Sequence, residues 1–473
     1  MAKITMLGAG SAFTAGIMRD IMLIPELKQG EIRLVDIDAK RLRITSKLVD
    51  VLAQRMNKEL GTRWTMVSSI DRRKVLKGSD YIINCIEVSG VKTVALDNDI
   101  PSKYGIDQCI GDTIGPGGIF KALRTVPAWL EILDDIERYC PDALVMNYTN
   151  PMSIMILAAV RSSPARIVGL CHSVQGTSRK MASVAEVPYE KMAFKCAGIN
   201  HLAWLTELSH NGRDLYPKII RRAQTEKDIY ESDPVRFEMM FQFGAFVSES
   251  SGHLSEYVPY FRKRKDLIKE YCRDGYRGGT RFYASSWPQW RQNKDNERNM
   301  LIKDITKMDL TRGLEYASEI IEAHMLNRPK VIYGSVINKG LISNLPGDGV
   351  VEVATLVDNT GFNPCRFGAL PAAMAGLCES NMRVFDLVVR GIINRDRDAI
   401  YHAMMLDPLS SAVCSPSEIR SMTDEMVKAE SAFIPSFMRH GHVRRVKSGA
   451  QDPVVRRMRR KAKPAAIARC AVH

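Results

Sequence analysis

The chain has 473 residues, 45% of them hydrophobic and 25% charged, enough for two or three domains of an ordinary globular protein. It holds no run of about 18 apolar residues, which excludes a helical membrane span. The net charge of +14 is concentrated at one end: Arg439 to His473 hold eleven Lys or Arg against the single Asp452, so that segment supplies +10 and the rest about +4.

The opening KITMLGAGS (Lys3–Ser11) predicts a buried strand over Ile4–Leu7, a glycine turn, and a helix from about Thr14. A strand that begins so early leaves no room for a signal peptide, so a cytoplasmic protein with its ten cysteines reduced is expected. Further buried strands are predicted at Ile32–Val35, Tyr81–Ile86, Ala143–Met146 and Ile167–Leu170, with Ala122–Tyr139 apolar at helical spacing. Strands alternating with helices predict an α/β, Rossmann-like, doubly wound parallel sheet. After about residue 190, longer helical patterns (Leu314–Met325, Pro371–Ile393) surround a strand-like Gly349–Val357, which predicts a C-terminal mixed α+β domain. The expected division is therefore a nucleotide-binding domain over 1–195, a catalytic and substrate domain over 196–440, and a basic, disordered tail over 441–473. The tail's run Arg456–Lys463 has no aromatic residue among its charges, so base stacking on nucleic acid has no support and a solvated arm is expected.

Gly8 and Gly10, with Ser11, follow the first strand, where small residues let the backbone approach a pyrophosphate at a helix N-terminus. The third glycine of that fingerprint is replaced by Phe13. Asp36 ends the second strand, where a carboxylate binds ribose hydroxyls, and it favours NAD over NADP; Arg41 and Arg43 leave NADP open. GLCHS (Gly169–Ser173) and CAGINH (Cys196–His201) read as metal-site segments offering one thiolate, Cys171, and one imidazole, His201. Other segments dense in Gly, Pro, Asn and charge are GDTIGPGG (Gly111–Gly118), NYTNPM (Asn147–Met152) and SESSGHLSEYVPY (Ser248–Tyr260).

On these segments the chain resembles glycoside hydrolase family 4, the NAD- and metal-dependent glycosidases, from Lys3 to about Arg439. Cys171-His172-Ser173, AGINH and ESSGHLSEY are most similar to its α-galactosidase (melibiase) branch. The resemblance implies NAD and Mn²⁺ as cofactors, with Cys171 and His201 on the metal. It implies Tyr257 as the base, Asp112 as the residue that raises its basicity, and Asn150 as a substrate ligand. His172 stands where some members carry an aspartate as proton donor. The family's substrate arginine has three candidates, Arg277, Arg281 and Arg291. The implied reaction is oxidation at C3 of the sugar, proton removal at C2, elimination at C1, addition of water and reduction, with no net redox and no need of a carboxylate pair. A homo-oligomer, dimer or tetramer, is also implied. α-Galacturonides and α-glucosides are the alternative substrates. Two other readings stay open on the residues alone: a hydroxyacid dehydrogenase, and a nucleotide-sensing module whose tail contacts nucleic acid.

Overall fold

The computed structural model of the protein describes residues 1–313 and 315–439, and the expected basic tail lies outside them. The first six strands are β1 (Ala2–Leu7), β2 (Gln29–Val35), β3 (Arg63–Ser69), β4 (Tyr81–Asn84), β5 (Leu144–Asn147) and β6 (Arg166–Leu170). They are parallel and lie side by side in the order 3-2-1-4-5-6. The order reverses between β1 and β4, and in such sheets ligands bind beyond the carboxyl ends of the strands at that reversal. β4 and β5 are buried at every position, which is why they appear as unbroken apolar runs.

The intervening helices include α1 (Thr14–Met22), α2 (Ala39–Leu60), α3 (Val91–Lys103), α4 (Gly115–Tyr139), α5 (Met152–Ser162) and α6 (Ser173–Ala185). The Asp38 carboxylate accepts the amides of Lys40 and Arg41 and so starts α2, and Gly61 ends it at φ +64°. The helix expected from Ala122 begins seven residues earlier, at Gly115. Its first turn, GPGG, looks like a loop in sequence. It is helical despite its glycines, which close contact requires: a Cβ on Gly117 would lie 2.3 Å from the Gly111 carbonyl oxygen.

After β6 no second sheet starts among the described residues. β7 (Met192–Ile199), β8 (Leu202–His210), β9 (Arg213–Asp214), β10 (Phe246–Val247), β11 (Lys330–Ile337), β12 (Val350–Asp358) and β13 (Gly361–Pro364) extend the first. β11 pairs antiparallel with β6, and the order runs on through β12, β7, β8 and β10 to give one 13-stranded mixed sheet. The strand expected at Gly349–Val357 is β12, and the expected helices are Tyr316–Leu326 and Ala372–Asn394. A single apolar core runs through both parts. No helix among the described residues is long and apolar enough to cross a membrane. The nine described cysteines are free thiols.

Candidate active site

The carboxyl edge of β1 and β4 forms a cradle that only small residues permit. Gly8 adopts φ +73°, and a Cβ there would lie 2.3 Å from the Cys85 carbonyl oxygen at the end of β4. A Cβ on Gly10 would lie 2.8 Å from a carboxylate oxygen of Asp36. Asp36 accepts the Gly10 amide at 2.7 Å, so the expected ribose-binding carboxylate and the expected glycine loop are in contact. The Ser11 amide donates to the Gly8 carbonyl at 2.9 Å and closes the turn ahead of α1. These residues fit a dinucleotide.

Cys171 and His201 meet although 30 residues separate them: Cys171 follows β6, and His201 occupies the tight turn between β7 and β8. Cys171 Sγ lies 3.5 Å from His201 Nε2. Glu249 completes a triangle, its Oε2 3.6 Å from the sulfur and 3.6 Å from His201 Nε2. Such edges suit three donors sharing one first-row cation at about 2.0–2.3 Å. His201 (φ +67°) and Glu249 (φ +70°) both hold the left-handed conformation, uncommon for residues with side chains and concentrated where geometry serves function. Burial holds His201 down at about 4, so the imidazole is neutral and can offer a lone pair. Burial, followed by the charges of Glu249 and Glu352, pushes the Cys171 thiol up. The donor set, one soft thiol with imidazole and carboxylate, fits a divalent transition cation.

A second cluster adjoins this triangle. Asp112 Oδ2 accepts from Asn150 Nδ2 at 3.2 Å and lies 3.5 Å from Lys121 Nζ; its Oδ1 lies 3.3 Å from His253 Nε2. His253 Nδ1 lies 3.4 Å from Glu249 Oε1, so one ring joins the Asp112 cluster to the metal triangle. Burial opposes charge on His253, but the hydrogen bonds it donates to the Asp112 and Glu249 carboxylates overcome this and raise the ring to about 10. Burial likewise opposes charge on Asp112, and Lys121, then His253, outweigh it to hold the carboxyl well below its usual range. The Lys121 ammonium is also 3.0 Å from Glu87.

Tyr257 is 2% exposed at the end of the helix Ser251–Tyr257, with its ring edge-on to His201 at 5.9 Å. Burial pushes its phenol well up, and the Asp112 and Glu256 carboxylates add to this. Asp112 therefore acts in the direction that makes a tyrosinate a stronger base. Glu256 braces the arrangement by accepting the amides of Cys109 (2.7 Å), Ile110 (2.9 Å) and Gly111 (3.1 Å), which fixes the loop leading into Asp112.

His172 sits to one side. Its ring lies between Phe13 and Tyr148, each 6.1 Å away, and its Nε2 pairs with Glu315 Oε2 at 2.9 Å. That hydrogen bond raises the imidazole against the effect of burial. Phe13, the residue in the third-glycine position, thus packs beside the expected acid. Of the three candidate arginines, Arg281 pairs with Asp99 at 2.9 Å, Arg277 donates to the Glu231 carbonyl at 3.4 Å, and Arg291 lies against Gly90. Sequence reasoning missed Glu249, His253, Lys121, Glu256 and Glu315. The spacing 253, 257 was a usable signal for His253, since residues four apart share a helical face, whereas Glu249 lies ahead of that helix in the left-handed conformation. Glu315 and Lys121 carry no local signal.

Glycine cradle, metal triangle and buried tyrosine on a mixed sheet define the class. Residues 3–187 match the model of the family 4 glycosyl hydrolases, and 196–410 match that of the family 4 glycosyl hydrolase C-terminal domain; the chain belongs to that family of glycoside hydrolases. More particularly, it is 38% identical over 444 residues to an alpha-galactosidase of Bacillus subtilis (strain 168), covering 92% of this chain and 100% of the relative. It is 35% identical over 442 residues to an alpha-galactosidase of Rhizobium meliloti (strain 1021), covering 92% and 89%. The fold superposes with TM-score 0.77 and 21% identity on a 6-phospho-alpha-glucosidase from gut microorganisms in complex with NAD and Mn²⁺, over 92% of this chain and 99% of that one.

Proposed function

We propose that this enzyme hydrolyses α-galactosides by oxidation, elimination, addition of water and reduction, using NAD and Mn²⁺. The observation that carries the reading is that His253 joins Asp112 directly to the Cys171–His201–Glu249 triangle, against which the Tyr257 ring packs edge-on at His201. A metal beside a buried phenol suits removal of a proton next to a carbonyl; it does not suit displacement by paired carboxylates. When bound, the metal would hold and polarise the sugar hydroxyl oxygens, and the dinucleotide would take up and return a hydride at C3.

Cys171, His201 and Glu249 hold the metal. Gly8, Gly10, Ser11 and Asp36 hold the coenzyme. Asn150, fixed by Asp112, orients the sugar. Tyr257 removes the C2 proton as the tyrosinate, its own phenol proton already released; the positive charge of a bound cation at the neighbouring triangle would favour that ionised form. His172, held by Glu315, is the proton donor to the leaving oxygen. In domain terms, residues 1–195 supply the glycine cradle of the coenzyme together with Asn150, Cys171 and His172, and 196–440 supply His201, Glu249 and Tyr257 to the sugar site. A thiol on the metal requires a reducing compartment, which supports a cytoplasmic enzyme. The family resemblance supports a dimer or tetramer, to be read by light scattering, and no role for nucleic acid.

The test is a panel of nitrophenyl glycosides assayed with NAD⁺, Mn²⁺ and reductant omitted in turn. The α-galactoside is expected to need all three, with no NADH accumulating. Turnover that survives stripping of nucleotide and chelation of metal overturns the reading. Preference for an α-galacturonide or α-glucoside changes the sugar and keeps the chemistry.

A further inference from the structure

The helix Phe282–Lys303 belongs to neither cluster, yet it reaches towards both. It packs against α2 and α3, the helices that leave β2 and β4, and so lies across the groove at the reversal of strand order. At its start, the Arg281 amide donates to Gln108 O at 2.7 Å and the Tyr283 amide to Cys109 O at 2.9 Å, on the loop that leads into Asp112. Near its other end, Arg298, 4% exposed, donates to the carbonyls of Gly10 (3.0 Å) and Ser11. Arg41 also donates to the Gly10 carbonyl, at 2.6 Å. Asp295 ties the two guanidiniums together, at 3.0 Å from Arg298 and 3.3 Å from Arg41. Arg291 sets a guanidinium nitrogen 2.8 Å from where a Cβ on Gly90 would stand, just ahead of α3.

Residues 291, 295 and 298 are spaced i, i+4, i+7, so they form one stripe on the helix. That stripe faces the loops beyond β1 and β4, which are neighbouring strands. Crowding like charges here is costly. Burial first, and then Arg291, lowers the pKa of Arg41; burial first, and then Arg41, lowers that of Arg298. A strut that only anchored the helix could be apolar. Guanidiniums at the mouth of a glycine loop match a dianionic pyrophosphate, to which they donate paired, charge-assisted hydrogen bonds.

We infer that Arg291 and Arg298, positioned by Asp295 and joined by Arg41, clamp the pyrophosphate of the dinucleotide, so that the helix Phe282–Lys303 is part of the coenzyme site. The inference rests on the coenzyme reading above. The helix then holds coenzyme and catalytic loop in one register.

The test is calorimetric titration of the metal-loaded enzyme with NAD⁺, ADP-ribose and adenosine. Arg298→Ala and Arg291→Ala should each weaken NAD⁺ and ADP-ribose by about 10- to 100-fold and leave adenosine within about twofold. Asp295→Asn separates clamp from strut. Loss of the carboxylate that positions Arg298 and Arg41 weakens NAD⁺ and ADP-ribose several-fold and leaves adenosine within about twofold if the arginines clamp, and weakens all three ligands alike if the network only anchors the helix. Wild-type binding of NAD⁺ with both alanine variants within twofold overturns the clamp alone. Failure of the wild type to bind NAD⁺ at all overturns the coenzyme reading and the clamp with it.

Discussion

Removing the phenolic oxygen of Tyr257 separates the chemistry of the site from its architecture. The ring is 2% exposed and edge-on to His201, and the residue's main-chain carbonyl accepts from Asn381 Nδ2 at 3.1 Å. None of these contacts uses the hydroxyl. Tyr257→Phe therefore keeps the packing and costs at most about 1 kcal/mol of stability. If the oxygen takes the C2 proton, turnover falls by about 10²–10⁴, or about 2.7–5.4 kcal/mol of activation free energy. The second effect exceeds the first several-fold, so the two are separable on one protein. The assay is turnover of a nitrophenyl α-galactoside deuterated at C2, followed by mass measurement of the galactose released. The wild type should exchange the label with solvent during turnover, and the variant should bind NAD⁺ and Mn²⁺ normally while turning over slowly. Full retention of deuterium by the wild type, together with near-normal turnover by the variant, refutes both the base and the elimination.

Cys171→Ser replaces the thiol of the metal triangle with a harder, weaker donor; Mn²⁺ affinity, measured by electron paramagnetic resonance, should fall at least tenfold while NAD⁺ binding holds, and unchanged affinity removes Cys171 as a ligand. Glu249→Gln should weaken Mn²⁺ in the same assay, whereas a purely structural Glu249 would leave it intact. Lys121→Met leaves Glu87 and Asp112 without their shared cation, at a cost of about 3–5 kcal/mol, so a clear fall in thermal midpoint is expected and an unchanged one contradicts the buried network. Glu256 is raised by burial to about 7, above the 4.5 of an unfolded glutamate. The folded state therefore binds this proton more tightly, and the stability it contributes is complete below about pH 4.5 and lost as pH rises to about 7. Urea melts across that window should show the decline in the wild type and a flatter profile in Glu256→Gln.

The parallel half of the sheet was readable because its strands are buried on both faces and appear as apolar runs; each expected strand from Ile4 to Leu170 overlaps a real one. β3, Arg63–Ser69, was not predicted, because it is the edge strand and mostly exposed or half-exposed, with no run to see. The antiparallel continuation was not readable either. Its pairings join β6 to β11 and β12 to β7 across more than a hundred residues, and no local pattern records such partners. Within the site, the family segments pointed to Asp112, Asn150, Cys171, His201 and Tyr257, which the structure gathers around two adjoining clusters. They did not point to Glu315 or Lys121. Each lies far along the chain from its partners or in a stretch without a motif, and only the fold brings Glu315 to His172 and Lys121 to Asp112.

The unbroken sheet constrains how this enzyme can open. Many two-part enzymes swing one lobe about a flexible linker to admit their ligands. Here backbone hydrogen bonds between β6 and β11 and between β12 and β7 stitch the two parts into one slab, and bending it would break the ladder. Lobe rotation is closed off as a gate. Ligand exchange then falls to single elements over the carboxyl ends of the strands, such as the helix Phe282–Lys303 across the reversal of strand order. Turnover should then be sensitive to crosslinks that pin that helix to α2 and indifferent to crosslinks within the strand ladder.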